Sequence, residues 1–124
     1  MRNPTEIKRC IPEFLVKDVS SISRFFQKTL EFTLDVDHYG MDDMSSEDDV
    51  AILVAGDIQI RFFKYCNATG NCHVTMECSA DLSFWRDRLK EHGYESVFFQ
   101  EIGSPLLVEC QVTDEFRITF EQLS

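Results

Sequence analysis

The chain has little with which to hold a polyanion: 12 Lys and Arg stand against 22 Asp and Glu, a formal net charge of −10 and a pI of about 4.6 over 124 residues. Nucleic acids and anionic lipid surfaces are bound by clustered Lys and Arg that neutralise phosphates, and no segment here concentrates them. Neither partner is expected. Long apolar runs are also missing, since no stretch approaches the roughly 18 residues of a membrane span. The opening MRNPTEIKRC carries neither the apolar core nor the small-residue cleavage site of a secretion signal, so a cytoplasmic location is expected. There is no Cys-x-x-Cys pair, and the cysteine count of 5 is odd, which argues against a disulfide framework and a zinc ribbon. Cys10, Cys66, Cys72, Cys78 and Cys110 are expected to be reduced and mostly buried as small apolar residues.

What the chain does have is apolar area. A hydrophobic share of 44% with 11 Phe supplies one core, and a chain of this length buries roughly two-thirds of its unfolded surface on folding. A single domain is the consequence. RCIPEFLVK, residues 9–17, alternates as a strand, and its proline puts it at a sheet edge or where an N–H is not needed. Asp18 offers an N-cap to VSSISRFFQKTL, where Val19, Ile22, Phe26 and Leu30 recur at helical spacing with Phe25 beside them. Residues 31–37 (EFTLDVD) and 50–54 (VAILV) read as strands, and a Gly56-Asp57 turn leads into IQIRFFK.

After the turn-rich CNATGN, residues 66–71, the pattern repeats. HVTMEC alternates, Ser79 is a candidate cap for DLSFWRDRLKEHG, and Gly93 suits the left-handed position after a helix. Strands come next at residues 95–100, 106–112 and 116–122, separated by Gly103-Ser104-Pro105 and Thr113-Asp114-Glu115. The expected fold is α+β: two βαβββ modules, residues 6–65 and 72–124 joined by a linker at 66–71, forming a curled mixed sheet around a cleft. If each helix covers one sheet face, period-two alternation leaves Ile11, Glu13, Leu15, Gln59, Arg61, Phe63, His73, Thr75, Glu77, Arg117, Thr119 and Glu121 on the cleft face.

IPEFLVKDVSSISRFFQKTLEF in the first module, with GNCHVTMEC and DEFRITFEQ in the second, resembles the vicinal oxygen chelate superfamily. That superfamily includes glyoxalase I, extradiol dioxygenases, fosfomycin-resistance enzymes and bleomycin-resistance binding proteins. Two departures stand out: Glu31 replaces the usual glycine after the first helix, so a different helix end is expected, and the turn before the last strand is shortened to Asp114-Glu115. The resemblance implies a metal position on each of the first, fourth, fifth and eighth strands. These fall on Ile11, which cannot coordinate; on Gln59 or Arg61; on His73, which matches well; and on Thr119 or Glu121.

The missing first ligand favours a metal-independent binder similar to the bleomycin-resistance branch. It would hold a small cationic or aromatic molecule in a cleft lined by Glu13, Leu15, Gln59, Arg61, Phe63, His73, Thr75, Arg117, Thr119 and Glu121, and would work as a homodimer. The alternative is a divalent-metal lyase, isomerase or dioxygenase with Zn, Ni, Mn or Fe on a displaced Glu13, His73 and Glu121 set, and with Arg61 or Arg117 holding a substrate carboxylate. A third reading is an interaction domain whose cleft is filled by its own Phe side chains. Glu13, Glu77 and Glu121 could also simply pair with Arg61 and Arg117. The acidic run Met41 to Asp49 lacks calcium-loop spacing and reads as a solvated loop. Trp85, with Phe84, reads as core or interface.

Overall fold

Asp18 decides where the first helix begins. In the computed structural model, which describes residues 6–35, 49–79, 81–99 and 106–123, its carboxylate accepts from the Ser21 N–H at 3.1 Å and the Ser21 hydroxyl at 2.6 Å. α1 (Val19–Lys28) then buries Val19, Ile22, Phe25 and Phe26, the stripe expected from helical spacing. It is preceded by β1 (Glu13–Val16) and followed by β2 (Thr33–Leu34), β3 (Val50–Ala55) and β4 (Ile58–Lys64). The second module repeats the series as β5 (Cys72–Cys78), α2 (Leu82–Glu91), β6 (Ser96–Phe99), β7 (Leu107–Gln111) and β8 (Phe116–Gln122).

The sheet orders are β1-β4-β3-β2 and β5-β8-β7-β6, so the second is the first with every number raised by four. In each sheet the first strand runs parallel to the fourth, and the remaining pairs are antiparallel. The α+β fold of two βαβββ modules is therefore as the sequence indicates. β1 is an edge strand, and Pro12 sits just before it with its carbonyl accepting from the Arg61 N–H at 3.0 Å, so the missing proline donor leaves no gap in the ladder. No helix among the described residues is long and apolar enough to cross a membrane.

Several local expectations change. α2 is capped by Asp81, whose carboxylate accepts from the Ser83 N–H at 2.9 Å, rather than by Ser79, because Asp81 directly precedes the first helical residue. The second strand is limited to Thr33 and Leu34, and Val36, Asp37, His38, nearly all of the acidic run and the Gly103-Ser104-Pro105 turn lie outside the described residues. All five cysteines are free, but only Cys110 is buried; Cys72 and Cys78 are half-buried, while Cys10 and Cys66 are exposed. Burial pushes the Cys110 thiol up to about 11.

Glu31 adopts φ +61°, the left-handed conformation that favours glycine, so the helix ends with a left-handed residue although the side chain there is a glutamate. The Phe32 N–H then reaches back to the Phe26 carbonyl at 2.8 Å. Gly93 closes α2 at φ +87°, as its position suggested.

The modules meet through their helix-covered faces. Phe116 of β8 packs against Phe26 of α1 at 5.7 Å and Phe62 of β4 at 5.4 Å between ring centroids, and Tyr94 meets Phe25 edge-on at 5.0 Å. Polar links cross the same junction. Glu115 accepts from the Lys17 and Asp18 N–H groups at 2.6 and 3.1 Å, and the Arg88 guanidinium donates to the Thr29 carbonyl and, at 3.3 Å, to the Lys28 carbonyl.

The two ends of α1 make separate contributions to stability. Glu31→Gly should stabilise the fold by about 0.5–1 kcal/mol relative to Glu31→Ala, because both lose the exposed Arg88 ion pair and only glycine relieves the left-handed backbone. Thermal unfolding of the two variants checks this, and equal Tm values would refute it. Asp18→Ala should cost about 1 kcal/mol at neutral pH. The Ser21 hydroxyl and N–H hold the Asp18 carboxyl below its ordinary 3.8, so the stabilisation is complete above that value and is lost as pH falls through the lowered one. Denaturant titrations should show the two proteins converging at the acid end.

Candidate functional site: two open sheet faces

With the helices packed on one side of each sheet, the opposite faces carry the polar residues of the alternating strands. In the first module, Glu13 lies opposite Arg61 and Leu15 opposite Phe63 in the parallel β1–β4 register. Arg61 donates from Nε to Gln59 Oε1 at 2.8 Å and pairs through Nη1 with Glu13 Oε1 at 3.4 Å. Gln59 is buried, while the Glu13 side chain keeps about half its surface in solvent. An ion pair this exposed is worth about 0–1 kcal/mol, so its importance is the orientation it imposes on Arg61.

In the second module, His73 lies opposite Arg117 and Thr75 opposite Thr119. His73 Nε2 is 2.7 Å from Thr119 Oγ1, and Arg117 Nη2 is 3.3 Å from His73 Nδ1. A guanidinium can only donate, so Nδ1 is the acceptor and Nε2 carries the proton, which it gives to Thr119. Arg117 is held from its other side by Glu109 at 3.2 Å. Glu77 and Glu121 are register neighbours further along the same strands, and neither has a cationic partner among the described residues. Of the pairings open to the cleft-face carboxylates, Glu13 with Arg61 forms, whereas Arg117 takes Glu109.

Glu109 is not among the residues expected from sequence, although the signal was present: Leu107, Glu109 and Gln111 alternate on β7, and Glu109 lies opposite Thr119. Exposed apolar residues flank both clusters. Leu15 is 55% exposed, and Val97 and Phe99 of β6, paired with Glu109 and Leu107, are 55% and 42% exposed. The buried Phe side chains fill the helix side of the sheets, not these faces.

The polar residues of the open faces form two separate clusters, one in each module. The helix-covered sides of both sheets share one core, so the open sides look away from it, and no described hydrogen bond or ion pair joins Glu13, Gln59 or Arg61 to His73, Thr119 or Arg117. The residues present also fit a divalent cation poorly. Ile11 offers no donor atom, Arg61 places a permanent positive charge in the fourth-strand position, and both ring nitrogens of His73 are engaged. Among the described residues no three His, Cys, Asp or Glu side chains converge, so Glu13, His73 and Glu121 do not form a metal set in one chain.

No family sequence model and no curated protein matches the chain. Solved structures do match in fold. A lactoylglutathione lyase from Agrobacterium tumefaciens superposes with a TM-score of 0.75 at 8% identity, covering 92% of each chain. A genomically encoded fosfomycin resistance protein from Listeria monocytogenes gives 0.71 at 10% identity over 95% of this chain and 94% of that one. A bleomycin-binding protein from Streptomyces verticillus, solved with copper(II)-bleomycin, gives 0.69 at 14% identity over 95% and 98%. The resemblance carried by the sequence is thus borne out as a shared fold, that of glyoxalase, fosfomycin-resistance and bleomycin-binding proteins.

The hydrogen-bond directions at His73 are testable. Nitrogen-15 NMR of the imidazole ring should show the Nε2–H tautomer. Thr119→Val, which keeps the shape and removes the acceptor, should mix the tautomers and cost about 1 kcal/mol. An unchanged ring spectrum in Thr119→Val would refute the assignment.

Proposed function

We propose that the protein is a metal-independent small-molecule binding protein that works as a homodimer. In the pair, the open face of the first module of one copy meets the open face of the second module of the other, and an organic cation with aromatic character is held between them. The observation that carries this reading is the pair of preorganised polar clusters, each beside apolar side chains that are exposed among the described residues. A second copy of the chain is a partner that would cover such surfaces and enclose a ligand between them.

The preference for a cation comes from charge. Arg61 and Arg117 are offset by Glu13 and Glu109, which leaves Glu77 and Glu121 side by side and unpaired among the described residues. Two carboxylates at neighbouring register positions repel each other, and a bound cation relieves that repulsion. Phe63, Leu15 and Phe99 offer the flat apolar surface that an aromatic cation also needs. The structurally similar Streptomyces verticillus protein is bleomycin-binding and was solved with copper(II)-bleomycin, which is a second ligand to test.

Light scattering at tens of micromolar should return about twice the chain mass of 14.4 kDa. Ethidium, tracked by its fluorescence, should bind equally well with and without EDTA. The Glu77→Gln/Glu121→Gln double variant should weaken it by about tenfold at low salt and by less at high salt, because screening shortens the reach of the removed charges. A monomer at these concentrations, binding that vanishes in EDTA, or an equal loss at both salts would overturn the proposal.

A further inference from the structure

Each sheet has two edges, and three of the four edge strands are protected against further pairing. β1 is entered through Pro12 and begins with Glu13, and β2 has only two residues. β5 carries His73 and Glu77, and its Cys72 sulfur lies 4.0 Å from the Leu15 carbonyl of β1. β6 has no such device. Its residues are Ser96, Val97, Phe98 and Phe99, without charge or proline, and its register against β7 is unbroken. Val97, Phe98 and Phe99 are 55%, 45% and 42% exposed, so apolar surface lies on both sides of the strand. An antiparallel edge strand turns the N–H and C=O of alternate residues outward, and those of β6 meet no other strand among the described residues.

A hollow of about 590 Å³ opens at the start of this edge, lined by Tyr94, Glu95 and Val97 together with Glu109 and Gln111 of β7. Glu95 is exposed and has no cationic partner among the described residues. Glu109 keeps 31% of its side chain in solvent beside Arg117. The hollow therefore has net negative charge to offer whatever lies along the edge.

We infer that the β6 edge docks an extended segment of another protein, which joins the sheet as a fifth strand and places a Lys or Arg side chain in the hollow between Glu95 and Glu109. The free backbone groups call for a strand, because an extended chain presents donors and acceptors at the matching spacing. Val97, Phe98 and Phe99 call for apolar or β-branched side chains on that strand. Charge selects a basic segment over a second copy of this chain, since β6 is flanked by Glu95 and Glu101 and has no Lys or Arg of its own to offer. In the order β5-β8-β7-β6 this edge lies on the far side of the sheet from β5, so the site is distinct from Glu77 and Glu121 and does not depend on the ligand reading.

The probe is the acetylated, amidated heptapeptide Lys-Val-Thr-Val-Thr-Val-Lys, whose two lysines serve either strand direction. Added to nitrogen-15 protein, it should slow amide exchange at every residue from Ser96 to Phe99, where the free chain protects only alternate ones. The same peptide with Glu in place of both lysines should bind at least about tenfold more weakly at low salt, and Glu95→Lys should reverse that preference. N-methylation of every internal residue keeps the charge, removes the donors and should abolish binding. The inference is overturned if exchange in β6 is unchanged at millimolar peptide, if the Lys and Glu peptides bind alike, or if the N-methylated peptide binds as well as its parent. Protection of all these amides without peptide, growing with protein concentration, would make a second copy the occupant and overturn it too.

Discussion

The contact on which the rest depends is the buried ring cluster of Phe26, Phe62 and Phe116. Two of these rings belong to the first module and one to the second, and all three are fully buried. Their centroid spacings of 5.4 to 5.7 Å and tilted or edge-on angles are those of favourable aromatic pairs. Truncating such a ring costs about 3–5 kcal/mol, a large part of the 5–15 kcal/mol that holds a domain together. Because the rings lie on the helix side of each sheet, burying them turns the polar sides outward. The placement of the candidate ligand faces is therefore a consequence of where the hydrophobic area had to go.

Both ends of α1 are completed by the other module. The Glu115 carboxylate takes the backbone donors of Lys17 and Asp18, and Arg88 donates to the carbonyls of Lys28 and Thr29. Helix ends leave such groups unpaired unless something supplies partners, and here the supply crosses the junction. Packing by phenylalanine joins the modules, and these directional bonds fix how they are joined. Neither residue stands out in sequence: Glu115 reads as part of a turn, and Arg88 as one of several charges on the outer face of a helix.

Much of the fold was legible because its signals are local. Asp18 caps the helix that starts beside it, Gly93 ends the one before it, and alternation along β4, β5 and β8 separates Phe62 from Arg61 and Ile118 from Thr119 without any tertiary knowledge. Glu31 is instructive in the other direction. Its side chain argues against a left-handed backbone, yet tertiary packing of Phe32 against Phe26 imposes one. The site was legible only as a set of residues facing one way. Which carboxylate meets which arginine depends on strand register, so Glu109 became visible beside Arg117 only when β7 was laid against β8. That the polar residues divide into two clusters, Glu13 with Arg61 and His73 with Arg117, could not be read from period-two patterns, which say which side of a sheet a residue takes but not which neighbours it meets.

The matching sheet orders carry a consequence for how the chain folds. Each sheet is closed by residues of its own module, and the pairings that close them, Glu13 with Arg61 and His73 with Arg117, span 48 and 44 residues. No strand crosses between sheets among the described residues. The link from Glu115 to Lys17, which joins the modules, spans 98 residues, about twice as far, and a doubling of loop length adds only about 0.6 kcal/mol to the cost of closure. Joining the two copies of the unit therefore costs little more in chain entropy than closing either one.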